Sequence, residues 1–315
     1  MKQPISIFFV PLAVLLLTSL SCQNNSTKEK LSTPTSGTVT IYSDESFKPV
    51  IDPLLSVFNA LYPYATVSCN YQSETDAMNL FLKGKNSMIF ATRKLTTAET
   101  DYFHSYQLFP AEIHFASDAI ALIVHPNFTD SIISVTQIRE ILTGKISTWK
   151  QLGHLGSSDN IRLVFDNTGS GTVRFMIDSI CHGEALSQNL SALKGNSEVI
   201  QYVSEHPNSI GVIGVGWISN GRDSTSRSFL GKIKVLRVSR SDRPTLADSY
   251  YPYQANLFPG LYPLLRPIYL INVEPHKGLA SGMASFVCSD RGQRIILKTG
   301  ILPAYETIRK VKIKE

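Results

Sequence analysis

From Gly37 onward, short apolar runs that suit strands alternate with stretches whose apolar residues recur at helical spacing. This alternation predicts an α/β architecture whose sheets are covered on both faces. The strand candidates are Val39–Tyr42, Thr66–Asn70, Met88–Ala91, Ala119–Val124, Ile161–Phe165, Ile210–Val215, Lys232–Val238 and Pro267–Val273. Between the first two, Val50, Ile51, Leu54, Leu55, Phe58 and Leu61 trace a helix that starts late or bends, because Pro49 and Pro53 interrupt it. Thr96-x-x-Glu99 and Ser134-x-x-Gln137 read as capping boxes that open two more helices, and a last helix is expected over Leu279–Lys298. The mature chain exceeds one comfortable core, so two lobes are expected.

The N-terminus has a different pattern. Lys2 precedes an apolar run from Ile5 to Leu20, then Ser21-Cys22 and a polar stretch from Gln23. The run is short for a membrane span and contains Pro11, so it reads as an export signal over residues 1–21. Cys22 is the candidate lipidation site, and residues 22–37 a flexible tether. Soluble secretion after nearby cleavage is the alternative, and Ser19 stands where bacterial lipoprotein signals usually carry Leu.

Composition narrows the picture only a little. At 43% hydrophobic and 17% charged residues the chain can build an ordinary globular core. Without residues 1–21 the formal charge is +4 and spread along the chain, which gives little support for nucleic-acid binding. Beyond Cys22, the cysteines Cys69, Cys181 and Cys288 show neither metal-ligand spacing nor a Cys-x-x-Cys motif. No metal or other cofactor is expected.

The stretch that carries most chemistry is Arg162–Ile177, where an apolar run stops at Gly169-Ser170-Gly171-Thr172 and a helix-like pattern follows. Glycines allow close backbone approach, hydroxyls donate to oxygens, and free N–H groups at a helix start carry partial positive charge. Together they suit an anion cradle. The same pattern also suits an ordinary strand–turn–helix corner capped by Ser170 or Thr172. Two further hydroxyl-rich corners follow strands, Ser43–Phe47 and Tyr71–Asp76, and Phe90-Ala91-Thr92-Arg93 adds a guanidinium. Such corners at the carboxyl ends of strands are where open α/β sheets bind ligands.

With these residues assembled, residues 38–307 resemble phosphate-binding proteins of the PstS type, the receptors of phosphate ABC transporters. The resemblance runs through Ile89–Thr96, Ser117–Ala121 with His125-Pro126, Thr136–Trp149, Ser209–Gly214 and Gly292–Ile296. It implies a two-lobed periplasmic-binding-protein fold, with mixed sheets flanked by helices and a hinge between lobes. Lobe 1 would comprise 38–117 and 250–315, and lobe 2 would comprise 118–249, with crossings near Phe115–Ala119 and Val238–Tyr250. It further implies that Ser46, Phe47, Thr75, Ser170, Gly171 and Thr172 line one enclosed oxyanion, with Arg93 at a corner where members carry aspartate or arginine. Asp166 departs from the pattern, since many members place an arginine there. It could pair with Arg93 or Arg174, accept the P–OH of a monohydrogen phosphate, or simply cap the turn.

The resemblance implies inorganic phosphate as ligand, an ABC transporter permease as partner, a monomer, and a periplasmic location anchored to a bacterial membrane. The same scaffold could instead bind another oxyanion or a small acidic molecule, or serve as a ligand-free signalling or adhesion lobe. An enzyme is not expected: the chain has no Gly-x-Ser-x-Gly elbow, no Gly-x-x-x-x-Gly-Lys phosphate loop and no His-Glu-x-x-His pair.

Overall fold

The structure is a computed structural model that describes residues 32–153, 160–188 and 190–305; the export signal and Cys22 lie outside the described residues. The strands are β1 (Gly37–Asp44), β2 (Ala65–Gln72), β3 (Met88–Ala91), β4 (Ala111–Val124), β5 (Ile132–Ser134), β6 (Arg162–Phe165), β7 (Ser191–Ala192), β8 (Ser209–Gly214), β9 (Lys234–Val235), β10 (Arg237–Ser239), β11 (Ser249–Tyr250), β12 (Leu265–Asn272) and β13 (Leu302–Pro303). Among the described residues, ten strands share one mixed sheet whose main path runs β2-β1-β3-β12-β4-β8-β6-β7. A smaller sheet orders β11-β10-β5.

The long strand β4 joins two halves of the large sheet. Residues Ala111–Ala119 pair with β12, whereas Ile120–Val124 pair with β8. In the first half β1 runs parallel to β2 and β3, and in the second β6 runs parallel to β8. Parallel pairing needs a crossover between strands, and the helices that supply it cover the faces. One face of the first half packs Phe58 of helix Lys48–Leu61 edge-on against Phe286 of helix Leu279–Cys288. The other buries Ala77, Met78, Phe81 and Phe103 from helices Glu74–Leu82 and Thr97–Ser105.

Several local expectations meet the structure directly. Both arms of each capping box form, Thr96 with Glu99 and Ser134 with Gln137. The late start expected of the helix with Pro49 and Pro53 is not seen: it begins at Lys48, because Pro49 falls in the first turn, where amide donors have no helical partner. Pro53 is tolerated inside it. Most strand ends shift by a residue or two, and three differences are larger. β4 begins at Ala111 rather than Ala119; Lys232–Val238 divides into β9 and the start of β10; and the last helix breaks at Ser289 into Leu279–Cys288 and Asp290–Thr299. Ser289 is extended and its Oγ accepts from Gly292 N–H, so it caps the second helix where periodicity alone suggested one. At the start, Pro34 lies so close to Gly282 that a Cβ there would meet its carbonyl, so this end of the expected tether packs on the body.

Candidate functional site

The corners that end β1, β2, β3 and β6 meet. At the β6 corner, Ser170 is the extended residue before helix Gly171–Phe175, and its Oγ accepts from Val173 N–H. The capping reading of Ser170 therefore holds, and it coexists with contacts across to the other corners. Thr75 donates from both its N–H and its Oγ1 to the Gly169 carbonyl, each at 3.0 Å. Gly171 N–H donates to Asp44 Oδ2 at 2.7 Å, and the other oxygen of Asp44 accepts from Ser46 N–H at 2.8 Å. Glu45 accepts from the N–H and side-chain amide of Asn196.

At the centre lies Arg266 of β12, only 1% exposed. Its Nη2 donates to Asp118 Oδ2 of β4 at 2.8 Å and to Ser46 Oγ at 3.0 Å. Its Nη1 donates to Thr172 Oγ1 at 3.3 Å, and its guanidinium packs over the Phe47 ring at 4.9 Å. Thr172 in turn donates to Asp166 Oδ2 at 3.2 Å. Thus Ser46, Phe47 and Thr172 converge on one buried cation that the motif reading had not included.

Asp166 caps its own turn. It accepts from Asn167 N–H, Ser170 Oγ and Thr172 Oγ1, and from the Asn196 side-chain amide at 3.2 Å. Neither arginine considered for it reaches it. Both guanidinium arms of Arg93 are taken by Glu99, at 2.7 Å each, because Glu99 already folds back to cap helix Thr97–Ser105 beside it. Arg174 instead crosses to the β2 and β3 corners, bonding Glu74 Oε1 at 2.7 Å and Thr92 Oγ1. Glu74 is itself buried and also accepts from Thr92 N–H and Oγ1.

The buried charges perturb one another. Burial pushes Asp166 up to about 7, with the Asp44 charge adding to the rise and the Ser170 hydrogen bond and Arg266 opposing it. Burial also raises Asp44, helped by Glu74 and resisted by Arg266, and raises Asp118 against the pull of Arg266. Burial works on Glu74 too, but the Arg174 charge, with hydrogen bonds from Arg174 and Thr92, outweighs it and holds Glu74 below the ordinary carboxylate range. Asp118 Oδ1 is buried without a hydrogen-bond partner, a lone acceptor beside Arg266. A cavity of about 270 Å³ adjoins the cradle, with Asp44, Glu45, Ser73, Asp166, Ser170 and Lys194 among its walls. Among the described residues no cluster of His, Cys, Asp or Glu is arranged to hold a metal ion.

Sequence reasoning missed Asp44, Asp118 and Arg266 as site residues. A usable sign existed: Arg266 interrupts the apolar stretch Leu264–Ile268, and Asp118 stands at the head of Ala119–Val124. Charges within strands that are otherwise apolar imply a buried pair.

A domain model of the PBP superfamily matches residues 28–291 of the chain. The phosphate-binding protein PstS of Borreliella burgdorferi is 25% identical over 310 residues, covering 96% of this chain and 99% of that protein. The protein of the same name from Pseudomonas aeruginosa is 24% identical over 274 residues, 82% and 80% of the two chains. Among solved structures, a protein from Clostridium perfringens, described as a phosphate ABC transporter substrate-binding protein and solved with bound phosphate, superposes with a TM-score of 0.69. It is 23% identical, and the match covers 85% of this chain and all of that one. An ABC-type phosphate transport receptor from Vibrio cholerae gives a TM-score of 0.63 at 19% identity, over 85% of this chain and all of the receptor. These likenesses show a shared two-lobed fold.

Proposed function

The chain belongs to the PBP superfamily, and from that premise we propose that it is an extracytoplasmic receptor that encloses phosphate between two lobes and delivers it to an ABC transporter. The lobes are 38–117 with 250–315, and 118–249, hinged where β4 passes from one half-sheet to the other. The observation that carries this reading is the meeting of the cradle Ser170-Gly171-Thr172 with Ser46 and the buried Arg266. Hydroxyls, a backbone N–H and a guanidinium converge there, which is the donor set that holds a dehydrated oxyanion. Contacts that cross between the corners, Thr75 to Gly169 and Glu74 to Arg174, support closure around the ion. Arg93 serves its own helix in this reading and does not touch the ligand.

No catalysis is involved: the ion is bound, dehydrated and released. Asp118 Oδ1, able only to accept, suits the P–OH of a protonated phosphate and repels fully ionised sulfate. Isothermal titration of the purified protein should show tight phosphate binding and no heat from sulfate. Thr172→Ala and Ser170→Ala should each weaken phosphate about 10- to 100-fold, the worth of one hydrogen bond to a charged group. Equal binding of phosphate and sulfate, or no effect of either substitution, would sink this assignment.

Lipid attachment at Cys22 belongs to the same proposal. The described residues hold no helix long and apolar enough to cross a membrane, and in this reading the lipid on Cys22 is what retains the protein there. Cys22→Ala should therefore move the exported protein to the soluble fraction and abolish labelling by a radioactive fatty acid. Retention and labelling that survive the substitution would count against the anchor.

A further inference from the structure

An anion cradle offers donors that wait for an acceptor, but here the protein supplies the acceptors itself. Asp44 Oδ2 takes the Gly171 N–H at 2.7 Å, Asp166 Oδ1 takes the Ser170 hydroxyl at 2.7 Å, and Asp166 Oδ2 takes the Thr172 hydroxyl at 3.2 Å. Both carboxylates are 1% exposed. They come from opposite sides, Asp44 from the end of β1 and Asp166 from the end of β6, and press on the same four-residue turn.

The surrounding charges do not balance them. From β4 and β12, Asp118 and Arg266 face the pair; from the β2 and β3 corners Glu74 faces it, bound to Arg174; Glu45 is tied to Asn196, with Lys48 acting on it. Asp76 and Lys194 stand further out, on the cavity wall. Arg266 is thus the buried cation set against Asp44, Asp118 and Asp166. Adding an oxyanion to the fully ionised set costs roughly a thousandfold in affinity for each uncompensated like-charge pair about 4 Å apart.

Resting on the phosphate reading above, we propose that oxyanion capture takes up protons, and that Asp44 and Asp166 hold them: the carboxylates keep the cradle's donors until the oxyanion takes their place. The proton passes from water or buffer to a carboxylate oxygen, and no bond of the ligand is made or broken. Each proton cancels one buried negative charge and turns its carboxylate from acceptor to donor, able to bond a ligand oxygen. The elevation of Asp166 to about 7, with Asp44 also raised, puts this exchange within reach near neutral pH. Asp44 and Asp166 are then specificity-determining residues, internal competitors that are silenced by protonation.

The sign follows from linkage: a site that binds protons more tightly when liganded loses affinity as pH rises, by up to about tenfold per pH unit for each proton taken up. Inorganic phosphate should be titrated into the full-length protein between pH 8 and 9, where the free ion is predominantly the dianion and its own residual proton release is subtracted, in two buffers of different ionisation heat. We expect about one proton absorbed per phosphate and about a tenfold fall in affinity across that unit. Asp44→Asn and Asp166→Asn, checked for folding by thermal melting, should absorb fewer protons and lose the pH slope. Phosphate binding that absorbs no proton and does not vary with pH overturns this inference while leaving the receptor reading intact. Proton uptake that is the same in both variants as in wild type overturns the assignment to this pair. Absence of phosphate binding from pH 5.5 to 9 overturns the receptor reading, and this inference with it.

Discussion

Arg266→Met is expected to lose phosphate binding altogether and to cost about 3–5 kcal/mol of stability at pH 7.5, the range for removing one partner of a buried ion pair. The methionine keeps an apolar stem over Phe47 but gives up the contacts to Asp118, Ser46 and Thr172. Three aspartates would then share a buried centre with Arg266 no longer among them. Their carboxyls, already raised by burial, would rise further, so the penalty should shrink as pH falls and protons neutralise them. Chemical denaturation at pH 7.5 and 5 measures this directly, with the larger loss expected at the higher pH. Arg266→Lys restores charge without the fork that spans two hydroxyls and a carboxylate, and should fall between the two. If Arg266→Met stays within about 1 kcal/mol of the parent at pH 7.5 and still binds phosphate, the buried centre is not what holds site and fold together.

How much of this could be read from the sequence depends on how far apart the partners lie along the chain. The strand–turn–helix corner at Gly169–Thr172 was legible because its signals are local, glycines and hydroxyls at the junction of a strand and a helix. The capping boxes at Thr96 and Ser134 were legible for the same reason. The first part of β4 was missed because Glu112 and His114 break its apolar pattern, while its pairing to β12 depends on residues more than a hundred positions away. Distance also hid the centre of the site. Arg266 and Asp118 are 148 residues apart and Gly171 and Asp44 are 127 apart, so no spacing rule links them. Arg93 shows the reverse case, a local partner that the sequence also held. A guanidinium beside a strand end suggested a ligand contact, but Glu99, six residues on, captured it within its own capping box.

Gly171→Val should weaken phosphate binding at least about 100-fold while leaving the fold in place, the loss expected when a side chain holds reacting surfaces apart. A Cβ at Gly171 would stand 2.9 Å from Glu74 Oε2 and 2.9 Å from Thr92 Oγ1, closer than real Cβ contacts come. Neither neighbour can swing aside at little cost. Glu74 accepts from Thr92 N–H at 2.5 Å and Thr92 Oγ1 at 2.6 Å and is held by Arg174, so relief must come from moving the β6 corner away as a body. That motion breaks the Thr75 contacts to Gly169, which join the same corners. The half-sheets themselves are untouched, because β6 keeps its parallel pairing with β8 and the core residues Leu163, Val164 and Phe165 stay buried. Small-angle scattering at saturating phosphate should then find the variant more extended than wild type, with a melting temperature close to it, and Gly171→Ala should lie between them. A valine variant that binds phosphate within threefold of wild type and scatters like it would mean that closure of these corners is not the step that holds the ion.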